Sequence, residues 1–268
     1  MSRTQVFAHR GANREAAENT RSAFDRALAY PTDGIETDIQ LSRDGVAVLW
    51  HDRFLDKLGL PGKHIDDFDH AALQTMNFAA HFAEQRPLTN PLPQAGEGAN
   101  EALRALPYSE GVMSLCEFLA AYRARCHLLL EIKNREWEQP ARHEAKVRQT
   151  LELVGAVTDD RVMVSSFNLD SLIYAHRCAP GFPLVFNLEP KHDADFARGI
   201  LVAQPFLHGL CAHIDTLDEA MVGVLREGGK RIAVYTCNSD EEINHALTLG
   251  VDILISDVPQ KALQMRDR

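Results

Sequence analysis

The chain alternates short apolar, β-branched runs with longer stretches in which apolar positions recur every three or four residues, the order expected of βαβ units. Strands are predicted at Gln5 to Ala8, Ile35 to Leu41, Val46 to Trp50, His127 to Ile132, Arg161 to Ser165, Leu184 to Asn187, Leu207 to Cys211, Arg231 to Thr236 and Ile253 to Ser256. Helices are predicted over Thr20 to Ala29, Ser114 to Ala124, Arg142 to Val154, Asn168 to Arg177, Asp193 to Val202, Asp218 to Arg226 and Asp240 to Thr248. Several of these helices begin on a Ser, Thr, Asn or Asp able to cap the first free amides, and Gly155 and Gly250 stand where a helix would stop. Only Ser42-Arg43-Asp44-Gly45 separates the second and third strands. A parallel crossover needs a dozen or more residues, so these two form an antiparallel hairpin. With one hairpin arm set aside, eight parallel strands remain, the number that closes a (β/α)8 TIM barrel. A doubly wound sheet is the alternative, but no GxGxxG motif follows the first strand.

The rhythm breaks between Phe54 and Gly111, where Pro61-Gly62, Pro87, Pro91, Pro93 and the small-residue stretch Gln94 to Asn100 interrupt any periodic pattern. Loops of this length in compact domains are usually functional or unstructured. The expectation is one barrel over residues 1–268 with an insertion at 54–111, a lid or small subdomain after the hairpin, whose tip near residues 90–104 is mobile.

Composition narrows the function classes. The 268 residues suit a single barrel of roughly 250. The formal charge of −10 argues against nucleic acid or an anionic membrane as a partner, while leaving room for one local basic pocket. No window approaches the ~18 consecutive apolar residues of a membrane span, and the first residues lack the apolar core of a secretory signal. A cytoplasmic protein without stable membrane association is expected. Cys116, Cys126, Cys178, Cys211 and Cys237 are odd in number and never in a CxxC pair, which fits reduced thiols.

Barrel active sites form at the C-terminal ends of the strands. Those ends carry His9 and Arg10, Glu36 and Asp38, and Glu131 and Lys133. Residues two apart on a strand share a face, so three carboxylates converge. Such a cluster is prohibitive unless the carboxyls protonate or a cation binds. An all-oxygen donor set selects one divalent cation, Mg²⁺ or Ca²⁺. With the hairpin turn centred between Arg43 and Asp44, cross-strand partners sum to about 87, which places His51 opposite Glu36. His9 and His51 then form an acid and base pair near neutral pH. Arg10 and Lys133, with the cation, form a clamp for phosphate oxygens.

Taken in order, His9-Arg10-Gly11, Glu18-Asn19-Thr20, Glu36-Thr37-Asp38, Asp44-Gly45, His51-Asp52, Glu131-Ile132-Lys133, Ser166-Phe167, Tyr235-Thr236-Cys237-Asn238 and Ile255-Ser256-Asp257 resemble the glycerophosphodiester phosphodiesterase family over nearly the whole chain. The resemblance implies a TIM barrel with a small insertion after His51-Asp52. It also implies metal ligands at Glu36, Asp38 and Glu131, acid and base at His9 and His51, phosphate contacts from Arg10 and Lys133, and a substrate pocket lined by Phe167 and Tyr235. Its substrates would be small glycerophosphodiesters such as glycerophosphocholine or glycerophosphoethanolamine, attacked by water or by a neighbouring substrate hydroxyl. Tyr235 stands where the family usually has Trp, and the stretch from Pro93 to Asn100 is atypical; both bear on substrate choice.

Other readings stay open at this level. A lysophospholipase D would act on single-chain lipids, a Schiff-base lyase would use Lys133, and a phosphate-binding barrel would bind without turnover. His64, His70 and His81 read as structural, Cys237 as a candidate for the pocket wall, Glu18-Asn19-Thr20 as largely a helix start, and Glu189-Pro190-Lys191 as a candidate rim contact.

Overall fold

The protein is described by a computed structural model over residues 3–85 and 110–268. Eight parallel strands close a barrel: β1 (Gln5–His9), β2 (Gly34–Leu41), β4 (His127–Ile132), β5 (Val162–Ser166), β6 (Leu184–Asn187), β7 (Gly209–His213), β8 (Arg231–Tyr235) and β9 (Ile253–Ser256). β3 (Ala47–Leu49) lies antiparallel on β2, outside the ring. It takes over the edge of β2 that β1 leaves: β1 pairs with Gly34 to Glu36 and β3 with Ile39 to Leu41.

Inside the barrel, Phe7, Leu129, Met163, Val185, Cys211, Ala233, Ile253 and Ile255 pack together, while the alternate residues of the same strands face the helices. This is the period-two pattern of strands buried on both faces. Gly34 makes room for the inward Phe7, since a Cβ there would lie 2.6 Å from the ring.

The outer layer comprises α1 (Arg21–Ala27), α4 (Leu115–Tyr122), α5 (Pro140–Val154), α6 (Leu169–Cys178), α7 (Ala194–Ala203), α8 (Glu219–Glu227), α9 (Asp240–Leu249) and α10 (Pro259–Arg266). The side chains of Thr20, Ser114, Asn168, Asp193, Asp218 and Ser239 accept from backbone amides at the helix starts, and Ser114 and Ser239 form capping boxes with Glu117 and Glu242. Gly155 follows α5, and Gly250 ends α9 with φ of 68°. Helix α10 was not foreshadowed by the apolar pattern; Pro259 at its first turn is its one sequence signal. Among the described residues no helix is long and apolar enough to cross a membrane.

Within the insertion, two 3₁₀ turns (Asp56–Leu58 and Ile65–Asp67) lead into α2 (His70–Gln74) and α3 (Ala80–Gln85). They enclose a small cluster of their own, in which Leu55, Ile65, Leu73 and Phe78 pack with Val48, Trp50 and Val112. Trp50 meets Phe78 edge to face at 5.3 Å. The tip expected near 90–104 lies outside the described residues.

Two expectations need correction. The hairpin pairs Ile39 with Leu49, Gln40 with Val48 and Leu41 with Ala47, so partners sum to 88 rather than 87. His51 is therefore not opposite Glu36. The ladder closes one residue earlier, where Trp50 N–H donates to Asp38 C=O at 3.1 Å, and His51 sits on the chain beyond it. The turn is wider than assumed because Ser42 Oγ bonds Asp44 and accepts from Val46 N–H. In addition, β7 starts at Gly209 rather than Leu207, since Leu207 N–H turns back to Gln204 C=O.

The loop after β1 depends on Gly11, whose φ is 84° and whose Cβ, if present, would lie 2.6 Å from the backbone of Ala23. Gly11→Ala should lose at least about 2 kcal/mol of stability, from left-handed strain plus the clash. Urea unfolding checks it, and a change below about 0.5 kcal/mol, the scale of an ordinary surface substitution, would contradict this view of the loop.

Candidate active site

At the C-terminal mouth of the barrel, the closed sheet brings neighbouring strand ends into register. His9 lies beside Glu36 and Asp38 beside Glu131. Glu36, Asp38 and Glu131 are all buried, and each offers a carboxylate oxygen within 4.8 Å of the others. Asp38 is closely paired with cations: Lys133 Nζ is 2.9 Å from one oxygen, and Arg10 Nε at 3.0 Å and Asn19 Nδ2 at 2.9 Å meet the other. These partners hold its carboxyl well below the ordinary range despite the opposing effect of burial. Lys133 also reaches Glu131 at 2.5 Å. Glu36 is the odd member. Among the described residues its Oε2 has no hydrogen-bond partner, and His9 Nε2 stands 3.8 Å away. Burial, reinforced by Asp38 and Glu131, pushes its carboxyl well above the usual value.

An unpartnered buried carboxylate oxygen in an all-carboxylate set fits a hard divalent cation, with Glu36, Asp38 and Glu131 as its protein ligands. The cation's identity is not fixed by these residues.

The loop after β1 supplies much of the compensation. Arg10 and Asn19 both adopt left-handed backbone, with φ of 56° and 57°, a conformation that costs a non-glycine residue about 1–3 kcal/mol. The strain is spent on placement. Arg10 reaches Asp38 and Glu18, and Thr37 Oγ1 donates to Asn19 Oδ1 at 2.7 Å, which turns the Asn19 amide toward Asp38. The Glu18-Asn19-Thr20 motif is thus more than a helix start: Thr20 caps α1, while Glu18 and Asn19 hold the site's charges.

Each histidine has its Nδ1 engaged by a carboxylate. His9 Nδ1 is 2.6 Å from Asp257, which also accepts from Asn13, Arg14 and Asn238; these contacts hold Asp257 below the ordinary range. His51 Nδ1 is 2.9 Å from Asp52, itself paired with Lys57. In both rings Nε2 is left for chemistry. Burial, with Arg10 nearby, lowers the His9 pKa against the opposing pull of Asp257.

His51 is positioned by side chains rather than by a ladder. Gln40 Nε2 donates to the carbonyls of Trp50 at 2.8 Å and Asp52 at 3.0 Å, and Arg135 donates to the carbonyl of His51. Three consecutive carbonyls are thereby fixed by two side chains. A cavity of about 170 Å³ opens between the histidines and the acids, lined also by Ser165, Asn187, Cys211, Phe167 and Tyr235. Phe167 and Tyr235 meet edge to face at 5.7 Å, and Tyr235 Oη donates to Leu188 C=O.

All nine residues singled out in the sequence lie at or around this mouth, Asp38 beneath it. Asp257, Gln40, Arg135, Asn187 and Cys211 were not assigned roles there, although Asp257 belongs to a recognised motif and Asn187 ends an apolar strand as Glu36 and Asp38 do. Cys237, the candidate for the pocket wall, is instead buried in the layer between sheet and helices, and it is Cys211 that lines the cavity. Glu189 and Lys191 pair with each other at the surface. Against the opposing effect of burial, Asp38 and Glu131 raise the Lys133 pKa, which disfavours the free amine a Schiff-base lyase would need.

Fold and site describe a TIM-barrel hydrolase of phosphoric diesters, and comparison with known proteins agrees. The model of the Glycerophosphoryl diester phosphodiesterase family matches residues 9–261. A glycerophosphodiester phosphodiesterase of Bacillus altitudinis is 29% identical over 265 residues, covering 98% of each chain. A putative glycerophosphoryl diester phosphodiesterase from Silicibacter pomeroyi superposes with a TM-score of 0.80 at 22% identity, covering 99% of this chain and 94% of that one. A phosphodiesterase of Oleispira antarctica, solved in complex with the product sn-glycerol-3-phosphate, gives 0.79 at 23%, covering 99% and 98%. This chain belongs to the glycerophosphoryl diester phosphodiesterase family.

The raised Glu36 carboxyl has a stability consequence. The folded state binds a proton there that the unfolded state has released, so stability falls as pH rises above the unfolded value of about 4.3 and through the folded one. With divalent ions chelated, Glu36→Gln should be at least as stable as the wild type above pH 5, and its advantage should grow with pH. Chemical denaturation at several pH values checks this; a variant that loses stability relative to wild type as pH rises contradicts the assignment.

Proposed function

We propose that this protein hydrolyses glycerophosphodiesters, such as glycerophosphocholine or glycerophosphoethanolamine, to glycerol 3-phosphate and an alcohol, using a divalent cation, Mg²⁺ or Ca²⁺, and histidine acid–base catalysis. The observation that carries this reading is the convergence of two carboxylate-backed imidazoles, His9 and His51, on one cavity with Glu36, Glu131, Arg10 and Lys133. The family match and the product complex of the Oleispira antarctica relative support the same substrate class.

Glu36, Asp38 and Glu131 would hold the cation, which would supply positive charge to the phosphate oxygens. The side chains do the remaining work. Lys133 and Arg10 line the cavity as cations and favour the dianionic transition state over the monoanionic diester. One imidazole Nε2 takes the proton of the nucleophile, water or a neighbouring substrate hydroxyl, as its oxygen bonds to phosphorus. The other gives its proton to the departing alkoxide as the P–O bond breaks. Asp257 and Asp52 hold the rings in orientation and stabilise whichever becomes cationic, the role a carboxylate plays behind a catalytic histidine. Phe167, 38% exposed, and Tyr235 shape the side of the cavity where the substrate enters. The five free thiols fit a reducing compartment, so we place the reaction in the cytoplasm.

His9→Ala and His51→Ala should each lower kcat by ~10² to 10⁴. On a substrate with a p-nitrophenolate leaving group, the loss should shrink for whichever histidine is the acid, because that group departs without a proton. Chelation should abolish activity, and Mg²⁺ or Ca²⁺ should restore it. Near wild-type rates in either variant would remove that residue from the mechanism, and full activity under chelation would remove the cation.

A further inference from the structure

The inner wall of the cavity carries a polar pair that the chemistry above does not use. Asn187 ends β6 and is 5% exposed. Along that strand Val185 packs inside the barrel and Phe186 packs against the helices, so Asn187 faces the barrel interior and the cavity it lines. Its Nδ2 lies 3.5 Å from Ser165 Oγ, whereas its Oδ1 is buried without a hydrogen-bond partner among the described residues. Ser165 is itself buried and sits beside Glu131 in the ladder.

A buried amide oxygen left unpaired costs about 1–3 kcal/mol, so a fold that keeps one beside an open cavity has a use for it when the cavity is filled. What fills it must donate a hydrogen bond there. Asp38, Glu131, Arg10 and Lys133 are engaged with one another, while Cys211, beside Asn187 in the sheet, and Leu129 and Ile255 elsewhere on the cavity wall offer contact to carbon. A neutral acceptor and a hydroxyl set among apolar walls match a short polyol, whose carbons pack and whose hydroxyls bond.

We infer that Asn187, with Ser165, forms the subsite that binds the hydroxyls of the glycerol moiety and so sets the preference for glycerol esters over other phosphodiesters. This rests on the proposed substrate class and adds the residues that recognise it. The subsite lies on the scaffold strands β5 and β6, so it is preorganised rather than assembled by a loop.

The test is direct binding, by calorimetric titration in the presence of the divalent cation, of sn-glycerol 3-phosphate and of methyl phosphate, which has the phosphate monoester but no hydroxyl. Wild type should favour sn-glycerol 3-phosphate. Asn187→Leu, close in volume, should lose roughly tenfold of that preference, the scale of one hydrogen bond to a buried acceptor. Because the amide oxygen is unsatisfied and the nitrogen makes only a long contact to Ser165, the same variant should keep or raise its Tm. An unchanged preference in Asn187→Leu overturns the inference, as does a wild type that does not distinguish the two ligands. A Tm lowered by several degrees with the preference retained makes Asn187 a structural residue and overturns it too. Asn187→Ala serves the same comparison if the leucine variant does not fold. Failure of the substrate class itself is seen separately, as a wild type that turns over no glycerophosphodiester.

Discussion

Three carboxylates and two cations share the buried mouth of this barrel, and the excess of one negative charge governs the rest of the site. Lys133 and Arg10 neutralise Asp38 and, through Lys133, Glu131. Among the described residues nothing comparable reaches Glu36, whose second oxygen has no hydrogen bond and only His9 at 3.8 Å. A buried carboxylate in that position must bind a proton or a cation. The arrangement is therefore a poor device for stability and a good one for holding a divalent ion.

The compensation extends well past the three acids. Arg10 links Asp38 to Glu18, Glu18 links to Lys57, and Lys57 to Asp52 behind His51. One chain of ion pairs thus ties Asp38 on β2 to the support of the second histidine. The barrel makes this possible because adjacent parallel strands set His9 beside Glu36 and Asp38 beside Glu131 without any loop intervening. Strain is concentrated where the chain leaves that scaffold, at Arg10 and Asn19, the two non-glycine residues with left-handed backbone among the described ones.

Most of the strand-borne chemistry was legible in the sequence because period-two alternation decides which face a residue takes. Glu36 with Asp38 and Glu131 with Lys133 follow from it, as does the number of parallel strands. What it could not supply was the placement of His51. That residue lies one position beyond the hairpin ladder, and the register itself was off by one because a serine side chain widened the turn. Its position comes from Gln40, across the hairpin on β2, and Arg135, more than eighty residues away, which together clamp three backbone carbonyls. Such tertiary hydrogen bonds leave no periodic trace. Asp257 and Asn187 were more accessible: both are polar residues closing or following an apolar strand, the same signal that marked the acids.

The central claim is that a divalent cation binds Glu36 in competition with a proton. Calorimetric titration of Mg²⁺ or Ca²⁺ into chelator-treated, dialysed protein at mildly acidic pH, in two buffers of different ionisation enthalpy, tests it most directly. The account predicts saturable binding of one ion per chain with release of protons to the buffer, and loss of both in Glu36→Gln. Absence of binding, or binding with no proton release that persists in that variant, would contradict it.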